Sequence, residues 1–126
     1  MSQHEVYLGN PNLKKANTPI EFTEDQIVEF LKCKEDPVYF ARNHIKIVSL
    51  DEGLVPFDMY DFQEKLIRNF HQSRFNICKM PRQTGKSTTC VSYLLHYAVF
   101  NDNVNVAILA NKASTARDLL GRLQLA

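Results

Sequence analysis

One nine-residue stretch, Met80-Pro81-Arg82-Gln83-Thr84-Gly85-Lys86-Ser87-Thr88, most constrains what this 126-residue chain can fold into. It follows Arg74–Met80 (RFNICKM), which reads as a strand. It leads into Lys86–Phe100, which reads as a helix with Val91, Leu94, Leu95 and Ala98 on one face. A Gly-Lys-Ser/Thr core in that setting is the second half of a phosphate-binding loop. Backbone N–H groups at the helix start and the positive end of the helix dipole attract an anion. Gly85 lets the backbone approach it, Lys86 reaches the β- and γ-phosphates, and Ser87 places its hydroxyl on Mg²⁺. The first glycine of G-x-x-x-x-G-K is Met80 here, which disfavours a plain P-loop kinase or small GTPase. Arg82 lies inside the loop, where a guanidinium can meet charge developing on the γ-phosphate as an arginine finger supplied in cis.

The flanking pattern extends this unit. Val104–Ala110 (VNVAILA) is a nearly continuous apolar run, as in a strand covered on both sides, and Ser114 onward reads as a helix with Leu119, Leu120 and Leu123 as its stripe. Strand, loop, helix, strand, helix is a βαβα order, which predicts parallel strands joined by a right-handed crossover. The first half is mainly helical. Thr23 with Gln26 predicts a capping box, followed by a buried face of Ile27, Phe30 and Leu31. Asp36-Pro37 predicts an N-cap and a first-turn proline. Ile45–Leu50 and Leu54–Phe57 flank Asp51-Glu52-Gly53, a hairpin signal. A third helix is expected from about Asp58 to Gln72, with Phe62, Leu66, Ile67 and Phe70 inward. Residues 1–22 read as an extended arm with turns at Asn10-Pro11 and Thr18-Pro19.

Composition narrows the class. Fifteen Lys+Arg against 14 Asp+Glu leave a net charge of +1, so net charge argues neither for nucleic acid nor for an acidic tail. No stretch approaches a membrane span, and the N-terminus lacks a signal-peptide core. The expectation is a soluble, intracellular protein. Cys33, Cys78 and Cys90 are odd in number and widely spaced, which argues against a disulfide framework; Cys78 and Cys90 read as buried thiols. The four histidines are scattered, and no transition metal is assigned. Gln63, in Tyr60-Asp61-Phe62-Gln63, is a candidate adenine reader, because an amide can give and take hydrogen bonds at N6 and N7. That would make the nucleotide ATP.

These residues resemble the N-terminal part of the large terminase subunit of tailed bacteriophages, in the form found in contractile-tailed phages related to the T-even group. The resemblance runs through Tyr7-Leu8-Gly9, Pro11–Asn17, Lys32-Cys33, Val38-Tyr39-Phe40, Tyr60–Gln63, Arg82–Thr88 and Ile108–Ser114. Its most specific part is the Arg-Gln-x-Gly-Lys-Ser/Thr loop. The arginine common in the family's adenine motif is Tyr60 here. The resemblance implies an α/β fold: residues 23–126 would be the N-terminal part of a P-loop NTPase (ASCE/RecA-like) domain, in which a small mainly helical segment with a β-hairpin precedes an incomplete parallel sheet. It implies ATP hydrolysis that drives double-stranded DNA into proheads. Arg82 and Lys86 would be catalytic, and Gln63, Arg82, Gln83, Thr84, Gly85, Lys86, Ser87 and Thr88 would bind ATP, with Ser87 on Mg²⁺. Portal protein and small terminase subunit are the implied partners of a ring homo-oligomer, in the host cytoplasm and transiently on the prohead portal, without membrane association and absent from the mature virion.

The family also has an apolar strand ending in Asp-Glu, a coupling motif and an RNase H-like nuclease domain, so the chain reads as an amino-terminal fragment. Asp102, in a turn before the second expected strand, is no substitute for the strand-end acids. Two alternatives remain: a superfamily-two helicase-like ATPase, and a nucleotide-binding module without catalysis.

Overall fold

A computed structural model describes residues 6–7, 10–14, 19, 21–49 and 51–126. Two short strands, β1 (Val6–Tyr7) and β2 (Asn10–Lys14), pair antiparallel with an irregular register. Asn10-Pro11 therefore lies in a strand and not in the expected turn. Thr18, of the other expected turn, lies outside the described residues.

The local signals of the first half hold. Helix α1 (Glu24–Glu35) opens at Thr23, whose hydroxyl accepts from Gln26 N–H at 3.3 Å, while Gln26 Oε1 accepts from Thr23 N–H at 3.0 Å. This is the capping box, and Glu24 and Asp25 add charge that suits the helix dipole. Asp36 ends α1 and starts α2 (Pro37–His44), where its carboxylate accepts from Val38 N–H at 2.8 Å. The hairpin is present as β3 (Lys46–Ser49) and β4 (Gly53–Pro56), paired antiparallel with Ile47 opposite Val55. Helix α3 spans Asp61–Gln72, α4 Lys86–Phe100 and α5 Ala113–Leu125.

The core is one cluster of Val38, Ala41, Ile45, Phe57, Met59 and Ile67. It joins α2, the hairpin and α3, and Tyr93 and Leu95 of α4 pack against it. Helix α2 contacts α1, α3 and α4, and α4 contacts α3 and α5. Glu64 of α3 accepts from Arg42 of α2 at 3.0 Å and from Arg68, one turn on in its own helix, at 2.8 Å. Those guanidiniums, Arg68 foremost, hold its carboxyl below the usual range.

The second half overturns the expected fold class. Among the described residues there is no parallel sheet, so the P-loop NTPase architecture is not supported. The segments 74–80 and 104–110 join no strand ladder. Phe75 is 83% exposed and Leu109 89%, while Ile77 is fully so. A parallel strand needs neighbours on its edges and cover on both faces. Two strands alone, with helices on part of one side, offer neither. Helices α4 and α5 form regardless, because their hydrogen bonds close within each segment.

Several helix faces also turn differently from the expectation. Ile27, Phe30 and Leu31 are about half exposed, since α1 packs mainly on α2; its buried residue is Cys33. In α3 the buried stripe is Gln63, Leu66 and Ile67, with Phe70 half-buried, an i, i+3, i+4, i+7 set. Phe62 lies off that stripe, exposed, and stacks on Tyr60 at 5.6 Å. In α4, Val91 is buried but Ala98 is exposed, and Thr89, Ser92 and His96 are buried instead. Helix α4 has neighbours on several sides, so its small polar residues are covered too. In α5, Leu119 and Leu123 are half-buried and Leu120 exposed. Cys78 is exposed, against expectation, because its segment has no sheet to cover it; Cys90 is half-buried. No helix is long and apolar enough to cross a membrane among the described residues.

Candidate phosphate-binding loop

The loop from Pro81 to Gly85 enters α4 through backbone that ordinary residues avoid. Gln83 has φ 61° and Gly85, the N-cap, has φ 72°. For the non-glycine Gln83 this is the sparsely populated left-handed region, which costs of order 1 kcal/mol or more. Positive-φ turns of this kind form concave, anion-binding backbone. The first intrahelical bond of the helix is Thr89 N–H to Gly85 O at 2.9 Å. The N–H groups of Lys86, Ser87 and Thr88 therefore precede the helical ladder, as at any helix start. The first turn of α4 carries no acidic residue that would compete for them.

Gln63 and Gly85 fit each other. Gln63 is only 4% exposed. Its Oε1 accepts from Tyr60 N–H at 3.0 Å and its Nε2 donates to Thr84 O at 3.2 Å. A Cβ added at Gly85 would meet Gln63 Nε2, so a larger residue there would push that amide off Thr84 O as well as strain φ. Helix α3 thus carries the side chain that anchors the loop. The sequence signal at Gln63 pointed to an adenine reader. Its amide here has one N–H and one lone pair beyond the two bonds to protein.

The other candidates gather at the same turn. Lys86 Nζ donates to Met80 O at 2.8 Å and Pro81 O at 2.9 Å, folding its ammonium over the loop's own carbonyls. Thr84 Oγ1 donates to Pro81 O at 3.0 Å, closing the turn from within. Arg82, Gln83 and Ser87 are exposed, and Thr88 is half-buried. Among the described residues Arg82 has no carboxylate partner. Asp102 follows the far end of the 15-residue α4, about 22 Å along the axis from Lys86. A cavity of about 320 Å³ between β3, α4 and α5 reaches Thr88 but none of Gln63, Arg82, Gly85 or Lys86. It is lined mainly by apolar residues, and the buried, unpartnered Ser92 hydroxyl borders it.

The loop contacts that sequence reasoning missed are the Gln63–Thr84 anchor and the hold of Lys86 on Met80 and Pro81. The first spans 21 residues of chain and has no local signature. A scan against protein-family models found none that matches this chain.

Proposed function

We propose that this chain binds ATP through residues 80–88 and serves as part of the ATPase of a terminase large subunit. The observation that carries the reading is the positive-φ turn at Gln83 and Gly85, which leads into the first turn of α4 with the Lys86 ammonium folded back over it. A triphosphate competes with the Met80 and Pro81 carbonyls for the Lys86 ammonium and takes hydrogen bonds from the free N–H groups. Gln83, Thr84 and Gly85 shape the cradle. The exposed Ser87 hydroxyl suits a hard cation such as Mg²⁺, which would neutralise phosphate charge. Arg82, exposed and with no carboxylate partner among the described residues, would reach the γ-phosphate. Gln63 would read adenine with its remaining N–H and lone pair.

In this reading ATP hydrolysis drives double-stranded DNA into a prohead. The partners are the portal protein and the small terminase subunit, and the working assembly is a ring of copies on the portal. The site of action is the host cytoplasm, with no place in the mature virion. Titration of the chain with a fluorescent ATP analogue and Mg²⁺ tests the first step. Lys86→Ala is expected to weaken binding at least tenfold; unchanged affinity would sink the assignment.

A second reading, nucleotide binding without turnover by this chain, is favoured by one observation. No described carboxylate hydrogen-bonds or ion-pairs with Arg82 or Lys86, and Asp102 lies at the opposite end of α4. Binding without phosphate release over many hours would support it.

A further inference from the structure

Away from the phosphate loop, the corner between α1 and α2 brings three metal-ligating side chains together. Glu29 and Cys33 stand one helical turn apart on α1, so both side chains leave the same face. Asp36-Pro37 then breaks the chain, and α2 brings His44, its last residue, to that face. His44 Nε2 lies 2.9 Å from Glu29 Oε1, and Cys33 Sγ donates to the same oxygen at 3.9 Å. All three ligand atoms lie within 4.8 Å of one another.

We propose that Glu29 Oε1, Cys33 Sγ and His44 Nε2 form a binding site for a divalent transition metal of the zinc type, with water as the fourth ligand. The donor set is one thiolate, one imidazole and one carboxylate, the mixture that zinc accepts and that hard cations do not. Bonds of about 2.0–2.3 Å in a tetrahedron set ligand atoms roughly 3.3–3.7 Å apart. The separations from Glu29 Oε1, 2.9 and 3.9 Å, lie on either side of that range, and Cys33 Sγ and His44 Nε2 are at most 4.8 Å apart, so shifts of up to about one ångström bring the three atoms to ligand geometry.

Two further contacts pre-orient the ligands. Tyr39 OH donates to Glu29 Oε2 at 3.1 Å, which leaves Oε1 directed at Cys33 and His44. The His44 ring stacks on Phe40 at 5.9 Å. Outer partners of this kind fix ligand orientation. Cys33 is 4% exposed, while His44 faces water, so an ion enters from the His44 side. Burial, with the Glu29 charge beside it, pushes the Cys33 thiol pKa up. Metal binding therefore releases one proton as the S–H is replaced by a metal–sulfur bond. The bound ion would staple α1 to the end of α2, the helix on which it mainly packs.

The sequence carries half of this signal, the Glu29 and Cys33 spacing; His44 is brought in only by the helix corner. The test is titration of the chain with Co²⁺, followed by displacement with Zn²⁺. One equivalent of Co²⁺ is expected to produce a thiolate-to-metal charge-transfer band together with the strong visible bands of four-coordinate cobalt, both erased by Zn²⁺. His44→Gln and Cys33→Ser should each weaken Co²⁺ at least tenfold, and Tyr39→Phe by about tenfold as an outer partner. Circular dichroism establishes that each variant is folded; should Cys33→Ser not fold, the exposed His44→Gln carries the test. Absence of the charge-transfer band, or its persistence at wild-type affinity in folded Cys33→Ser or His44→Gln, would overturn the proposal and leave a hydrogen-bonded cluster.

Discussion

At the scale of single residues, the phosphate loop depends on a lock between Gly85 and Gln63. Gly85→Ala meets two costs, the left-handed backbone at about 1–2 kcal/mol and a collision with the Gln63 amide. Denaturant unfolding should show a loss of at least 2 kcal/mol in the wild-type background and only the backbone part, about 1 kcal/mol, in a Gln63→Ala background. Additive losses would show that the two residues do not touch in solution. Gln63→Ala alone should weaken both ATP and GTP, because the Thr84 anchor is gone, with ATP falling further; equal losses would leave Gln63 as an anchor only. Arg82 differs, being exposed and outside the loop's own hydrogen bonds. Arg82→Ala is expected to leave ATP affinity within threefold and, in an assembly that turns ATP over, to cut single-turnover hydrolysis by about 10³-fold, the lower range for arginine fingers. Normal binding with normal hydrolysis would refute the finger role.

At the scale of elements, α1, α2 and α4 meet around buried polar groups. His96 of α4 is 3% exposed, and its Nε2 lies 2.8 Å from the Cys33 carbonyl at the end of α1. Burial pushes its pKa down; the Cys33 carbonyl opposes that, and the nearby His71 adds to it. The folded state thus keeps His96 neutral where the unfolded chain, near its ordinary value of about 6.5, takes up a proton. Between the folded and unfolded pKa values the unfolded state binds more protons, so stability rises with pH and falls as acid is added below about 6.5. Urea midpoints at pH 7.5 and 5.5 should show this loss in wild type and a smaller one in His96→Gln. The same loss in both would place the titration elsewhere. Asp36 serves both helices, and Asp36→Ala should cost about 1 kcal/mol through its lost cap on α2.

At the scale of the whole molecule, a packed unit of α2, the hairpin, α3 and α4 carries two segments without regular structure, 74–80 and 104–110, that belong to no sheet. Their amides should exchange with deuterated solvent far faster than those of α4. Ile77→Asp and Leu109→Asp should each change stability by no more than about 0.5 kcal/mol, as at open surface sites. A loss above 1 kcal/mol would mean that these segments are packed in solution. Sequence alone determined whatever closes over a few residues: the Thr23–Gln26 box, the Asp36-Pro37 junction, the span of α4, the hairpin and the Gly85-Lys86 turn at a helix start. The caps, the helix span and the turn rest on hydrogen bonds or dihedral preferences within about four positions, and the hairpin closes over about ten, with its register set by the turn, so residue type decides the outcome. The lack of a parallel sheet among the described residues, the rotation of α3 that buries Gln63 and exposes Phe62, the polar burial in α4 and the meeting of His44 with Glu29 and Cys33 were decided by tertiary packing. A strand has no hydrogen-bond partner of its own, and an apolar stripe names no neighbour. Which partners arrive depends on how distant elements stack, and that is settled only when the core of Val38, Ala41, Ile45, Phe57, Met59 and Ile67 closes.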